Sequence, residues 1–140
     1  NAKMNEFQAA MGICNLEDIE EEIKRREDVV NKYNELLKNI DGIKLVSKVE
    51  KVKNNFAYYP IQLVDYKYSR DEVYNRLKEN NIYSRKYFYP LTSSFECYDG
   101  QFDINNTPVA KKVAENILAL PLYSNMAIED VKRICNIILS

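Results

Sequence analysis

The chain is 140 residues long, the size of one domain, and 46% of it is hydrophobic, enough to bury a core. Its 20 basic residues balance 21 acidic ones, so no net field draws in nucleic acid or an anionic membrane, and no apolar run approaches the ~20 residues of a membrane span. Histidine is absent, which excludes a Ser-His or Cys-His nucleophile pair, a histidine-ligated metal and the commonest general acid–base from this sequence.

Residues 4–15 and 16–40 read as two helical pieces with a kink between them. In the second, Leu16, Ile19, Ile23, Val30, Tyr33, Leu37 and Ile40 fall at spacings of three and four on one face. Arg26 interrupts that stripe and can lay its stem along it. Glu20–Lys24, Glu21–Arg25, Glu22–Arg26 and Asp28–Lys32 are acid-first i,i+4 pairs worth ~0.3 kcal/mol each. Phe7, Met11 and Cys14 lie out of phase with the later stripe, and Gly12 and Asn15 lower helix propensity before it starts. Asp41-Gly42 closes the helix, with Gly42 free to adopt a left-handed cap.

Ile43–Val46 and Phe56–Val64 read as strands, and Pro60, with no N–H to donate, places its strand at an edge or beside an irregularity. Ser69-Arg70-Asp71-Glu72 is a capping box that opens a helix to about Asn80. Ile82–Lys86 is expected as the third strand. Residues 90–106 form a long loop of the kind that is functional or mobile. Thr107-Pro108 is an N-cap followed by proline at the first helical position, and the helix runs to about Ile117. An extended link, Leu118–Leu122, leads to a last helix over Ile128–Leu139. The order implies an α+β unit, a small and mostly antiparallel sheet of about three strands covered by helices, with a long helix at the front. Cys14, Cys97 and Cys135 are odd in number and dispersed, with no C-x-x-C pair, as expected of reduced thiols in a cytosolic protein.

Three stretches share a resemblance. Asn1-Ala2-Lys3-Met4 leads into Gln8-Ala9-Ala10. Ser84-Arg85-Lys86-Tyr87-Phe88-Tyr89-Pro90-Leu91-Thr92 runs out of the expected third strand. Leu118-Ala119-Leu120-Pro121-Leu122-Tyr123 precedes Ile128-Glu129-Asp130-Val131. In order and spacing they resemble the C-terminal part of the DegT/DnrJ/StrS sugar-nucleotide aminotransferases, fold-type I enzymes that use pyridoxal phosphate.

The resemblance implies that residues 1–140 are the small domain of a larger protein, with 1–15 packing on a large domain or a dimer partner. Asn1 would reach the cofactor phosphate of the neighbouring subunit. Lys3, where the family more often has arginine, would line the same shared site as a point charge without a bidentate fork. Tyr89 and Thr92 would stand at the substrate mouth. Thr92 replaces the family's usual histidine, and its hydroxyl can hydrogen-bond a sugar. Ala127 stands where the family usually has a Ser or Thr cap, which leaves Asn125 or nothing to cap the last helix.

The cofactor lysine would lie upstream of Asn1, so no catalytic residue, bound cofactor or metal is expected in this chain alone. The full-length activity implied is transfer of an amino group, from glutamate, to a nucleotide-linked keto-deoxysugar such as a dTDP-4-keto-6-deoxyhexose, by a cytoplasmic homodimer with no nucleic-acid or membrane partner. A sugar dehydratase of the same family and a stand-alone helical interaction module built on 16–40 are the alternatives.

Overall fold

The computed structural model describes residues 3–47, 49–98 and 100–140. Helix α1 (Glu6–Glu17) begins with a reciprocal cap in which the Gln8 N–H donates to Asn5 Oδ1 (2.9 Å) and the Asn5 N–H to Gln8 Oε1 (3.0 Å). That cap and the run Ala9-Ala10 carry the helix through Gly12, so the break falls at Asp18, three residues later than expected. Helix α2 (Ile19–Leu37) has Glu20, Glu21 and Glu22 in its first turn, where the helix dipole favours acids.

Only the second half of α2 enters the core, through Val29, Val30, Tyr33 and Leu37. Of the four expected ion pairs, Glu21–Arg25 forms, at 2.5 Å. Arg26 is half-buried and directs its Nε at the Glu22 carbonyl, Lys32 turns forward to Glu35, and Glu20 reaches out to Lys53. Gly42 does take a left-handed φ of 81°, but in the turn into β1, not as a helix cap. A Cβ there would stand 2.4 Å from the Tyr66 Cα, so close approach of two backbones also requires glycine.

The sheet has three antiparallel strands in the order β1 (Ile43–Leu45), β2 (Tyr59–Leu63), β3 (Ile117–Leu120). Two expectations are corrected here. The third strand is not Ile82–Lys86 but the stretch read as an extended link. Residues 82–86 add only one bridge, Arg85 opposite Ala119, on the outer side of β3. Pro60 lies on the central strand, not at an edge. It is tolerated because Pro60 and Ala119 face each other without exchanging hydrogen bonds, Ala119 bonding instead to Arg85. On the other side, β1 has ended at Leu45, opposite Ile61, before Pro60 is reached.

Alternate residues of β2, namely Tyr59, Ile61 and Leu63, are buried. They meet α2, α3 (Arg70–Glu79), through Val73 and Leu77, and α5 (Ile128–Leu139), through Val131, Ile134, Cys135 and Ile138. Each such aliphatic side chain contributes ~1.5–3 kcal/mol on burial. Tyr33 and Tyr59 stack at 4.6 Å and direct their hydroxyls to the Pro121 carbonyl and Asn34 Oδ1, so neither buried phenol is left without a partner. The end of α5 is closed by three successive side chains, Tyr66, Lys67 and Tyr68, which donate to the carbonyls of Ile138, Leu139 and Ser140. Helix α4 (Pro108–Asn116) starts with proline at its first position, as the sequence indicates.

Nothing in α1 is buried. Phe7, Met11, Ile13 and Leu16 are 86, 61, 61 and 69% exposed, an apolar helix standing clear of the core.

Candidate functional site

The segment that follows α3 is built from the core outward. Ile82 is buried and its N–H bonds back to the Leu77 carbonyl, closing α3. Arg85 then exchanges both backbone hydrogen bonds with Ala119, at 2.9 and 2.7 Å, which fixes the segment along the sheet. A turn, with the Tyr89 N–H on the Lys86 carbonyl, brings the chain away from the sheet as a ridge of rings. Tyr87 stacks on Phe88 at 4.8 Å and meets Tyr58 edge-on at 5.4 Å. This ridge and the start of α4 face each other across an open cleft of about 710 Å³, lined by Tyr87, Phe88, Leu91, Thr107, Val109 and Val113 among others. Three single 3₁₀ turns, Thr92–Ser94, Glu96–Tyr98 and Ile104–Asn106, organise the long connection between the ridge and α4.

Behind the ridge lies a charged cluster. The Arg70 guanidinium, 3% exposed, donates from Nε to Asp71 Oδ1 (2.5 Å) and from Nη1 to the Ala114 carbonyl in the last turn of α4 (3.0 Å). Its Cζ lies 4.4 Å from the centre of the Tyr89 ring. The same Asp71 oxygen receives Lys86 Nζ at 2.6 Å, and that ammonium lies 4.4 Å from the Tyr74 ring. Lys86 first, and Arg70 with it, hold the Asp71 carboxyl below the usual carboxylate range.

Of the four residues singled out from the sequence, Tyr89 meets the charged cluster through Arg70, and neither it nor Thr92 is among the residues lining the cleft. Tyr89 is on the ridge, 49% exposed, and Thr92 opens the first 3₁₀ turn beyond it, exposed. Lys3 is exposed in the stretch before α1, and among the described residues no hydrogen bond or ion pair connects it with Tyr89 or Thr92. Asn1 lies outside the described residues. Arg70, Asp71 and Lys86 were missed: the sequence shows Arg70 and Asp71 only as the inside of a capping box, and the pairing with Tyr89, nineteen residues on, is tertiary. Asn125 is not the cap of α5. Its Oδ1 accepts from Arg25 Nη1 (3.2 Å), and Ala127 stands at the cap position with no side-chain hydrogen bond.

The order of these parts can be compared with known proteins. The sequence profile of the DegT/DnrJ/EryC1/StrS aminotransferase family matches residues 1–139. The chain belongs to this family. It is 39% identical over 142 residues to the dTDP-4-amino-4,6-dideoxy-D-glucose transaminase of Escherichia coli, a match that takes in 99% of this chain and 38% of the relative. Among solved structures it is similar to DesI, determined in the presence of its TDP-sugar product (TM-score 0.88, 28% identity, 99% of this chain and 36% of DesI). It is also similar to Spr1654 of Streptococcus pneumoniae in its PLP form (TM-score 0.84, 26% identity, 96% of this chain and 34% of that protein). The chain thus spans little more than a third of the length of the relatives it matches.

The cleft between the ridge and α4 is lined mainly by rings and aliphatic side chains, with neither a cation nor a carboxylate among its lining residues. Among the described residues no helix is long and apolar enough to cross a membrane, and no group of three or more His, Cys, Asp or Glu is placed to hold a metal.

Proposed function

We propose that this chain is the C-terminal small domain of a pyridoxal-phosphate-dependent aminotransferase, and that the full-length protein transfers an amino group from glutamate to a nucleotide-linked keto-deoxysugar. A dTDP-4-keto-6-deoxyhexose is the substrate that the relatives favour, and an amino sugar for a surface polysaccharide or a glycosylated natural product is the outcome. The observation that carries this reading is similarity along 99% of this chain, at 39% identity, to 38% of a transaminase named for a dTDP-4-amino sugar, together with the likeness to DesI and its TDP-sugar product.

In this reading the chain supplies substrate contacts, while the residues that hold the cofactor lie mainly elsewhere in the full-length protein. Tyr89 and Thr92 offer hydroxyls at the mouth, where sugar hydroxyls and ring oxygens need donors and acceptors. Asn1 and Lys3, ahead of α1, serve the site of a second subunit: an amide and a point cation suit a phosphate or carboxylate. The exposed apolar residues of α1, which follow them, support this reading by offering a surface for a second subunit. The protein acts in the cytoplasm, where its nucleotide-sugar substrate and reduced thiols belong.

The test is a half-reaction. Full-length protein loaded with pyridoxal phosphate is mixed with glutamate, and separately with the dTDP-4-amino-4,6-dideoxyhexose. Each amino compound should bleach the cofactor's visible absorption by converting it to the amine form. An absorption that responds to neither overturns the transaminase reading, and a response to glutamate alone overturns the sugar.

A further inference from the structure

Arg70 is the one buried charged side chain among the described residues, and burial of a guanidinium is unfavourable unless its donors are matched. Here two donors find acceptors and the face of the group meets a ring; one partner is the neighbouring residue, and the other two are remote in sequence. Asp71 belongs to the first turn of α3, whose Val73 and Leu77 are fixed in the core. The Ala114 carbonyl belongs to α4. The Tyr89 ring belongs to the ridge. The ridge and α4 are the two walls of the cleft. One rigid, planar cation therefore ties both walls to the core, and lysine could copy its charge but not its plane.

We propose that Arg70 is a positioning residue: it holds Tyr89, and with it the 87–91 wall, at a set distance from α4, so that the mouth is already formed for the nucleotide sugar. This deepens the transaminase reading and rests on it. Asp71 completes the device by orienting the guanidinium, and Lys86 holds Asp71 from the ridge side. The lining of rings and aliphatic side chains, with no cation, suits the uncharged end of a large substrate and not a small dicarboxylate, so the nucleotide sugar is the reactant that should feel the wall move.

The experiment uses full-length protein with Arg70→Met, Arg70→Lys, Tyr89→Leu and the double variant Arg70→Met/Tyr89→Leu. In Arg70→Met and Tyr89→Leu the KM for the dTDP-4-keto-6-deoxyhexose should rise about tenfold, with kcat and the KM for glutamate within about twofold of wild type. Arg70→Lys should stay near Arg70→Met. The double variant should be no worse than Tyr89→Leu alone, which removes the contact with Arg70 together with the ring's own hydroxyl. Hydrogen–deuterium exchange adds a readout independent of activity: amides of residues 86–98 should exchange faster in Arg70→Met, while those of Val29–Leu37 do not change.

A parallel rise of both KM values, a double variant whose defects multiply, or unchanged exchange in 86–98 would each overturn the proposal and leave Arg70 a structural residue. Tyr89 is half exposed, so Tyr89→Leu keeps the KM test open if Arg70→Met does not fold. A wild-type protein with no transaminase activity would defeat the functional reading, and exchange in 86–98 would still decide whether Arg70 holds the wall.

Discussion

Replacing Ala127 by serine should stabilise the chain, and the structure contains its own standard for how much. Ala127 is the residue before α5 and has the extended backbone of a cap, φ −69° and ψ 141°, with no side-chain bond to the helix. Ser69, before α3, has nearly the same backbone, φ −66° and ψ 160°, and its hydroxyl oxygen accepts from the Glu72 N–H at 3.3 Å. A serine at 127 would offer its hydroxyl to the Asp130 N–H, which already donates to the Ala127 carbonyl at 3.1 Å, so the donor is shared and not orphaned as at Ser69. Position 127 is exposed, so the hydroxyl is added without a desolvation cost. Caps are worth ~0.5–2 kcal/mol over alanine, and a shared donor puts this one in the lower half, about 0.5–1. With an unfolding entropy of about 0.3 kcal/mol/K for a chain this long, a gain of that size raises the melting temperature by about 2–3 °C. Thermal and urea midpoints of wild type, Ala127→Ser and the reciprocal Ser69→Ala check it, with the last expected to fall by a similar amount. A midpoint for Ala127→Ser that stays level or drops would refute the reasoning, because it would mean that the first turn of α5 has no use for a side-chain acceptor.

Burial pushes the Cys135 thiol up to about 12 and the Tyr33 and Tyr59 hydroxyls above their ordinary value, so these groups stay neutral in the fold where the unfolded chain ionises. Stability should therefore be whole below about pH 8.5 and fall as pH rises beyond it, by up to about 1.4 kcal/mol per pH unit for each group; equal urea midpoints at about pH 7 and about pH 10 would contradict this. The bare face of α1 should drive concentration-dependent self-association of the 140-residue chain, abolished by Phe7→Glu with Met11→Glu; sedimentation showing a monomer at every concentration would contradict it. In the full-length protein, Asn1→Ala should weaken cofactor retention by roughly 1–3 kcal/mol, with the defect in the opposite subunit's site of mixed dimers; an unchanged cofactor affinity leaves Asn1 as no more than a lead into α1.

Local signals were legible wherever the chemistry is local. The Ser69–Glu72 capping box, the proline start of α4 at Pro108 and the two-part N-terminal helix can be read from a few adjacent residues, and the structure has all three, although Thr107 makes no side-chain cap and its hydroxyl donates to the Ile104 carbonyl instead. The helix break moved because the Asn5–Gln8 cap lies ahead of Gly12 and sustains the helix through it. The exchange of third strands has another cause. Ile82–Lys86 begins with a β-branched and an aromatic residue and ends Ser-Arg-Lys, while Ile117–Leu120 is apolar but has only one β-branched residue, so neither carries a decisive strand signal. What separates them is register with Tyr59–Gln62, about sixty residues before β3, which no local pattern encodes.

The candidate site divides in the same way. Tyr89 and Thr92 stand out beside a proline in an aromatic run. Arg70 does not: its role depends on Tyr89 and on a carbonyl of α4, and before folding it is one exposed-looking arginine inside a capping motif. The balanced charge and the lack of histidine restricted the chemistry without naming it. The family was named by landmarks in order along the whole chain, and by the profile that matches residues 1–139.

The central claim is transfer of nitrogen to a nucleotide sugar, and the most direct measurement follows the atom. Full-length protein is incubated with pyridoxal phosphate, ¹⁵N-labelled glutamate and dTDP-4-keto-6-deoxyglucose, and the nucleotide sugars are analysed by mass spectrometry. A dTDP-amino-dideoxyhexose that carries the label should form, and only when the keto sugar, glutamate and cofactor are all present. Recovery of the keto sugar unchanged, or of a dehydrated sugar without nitrogen, would contradict the claim.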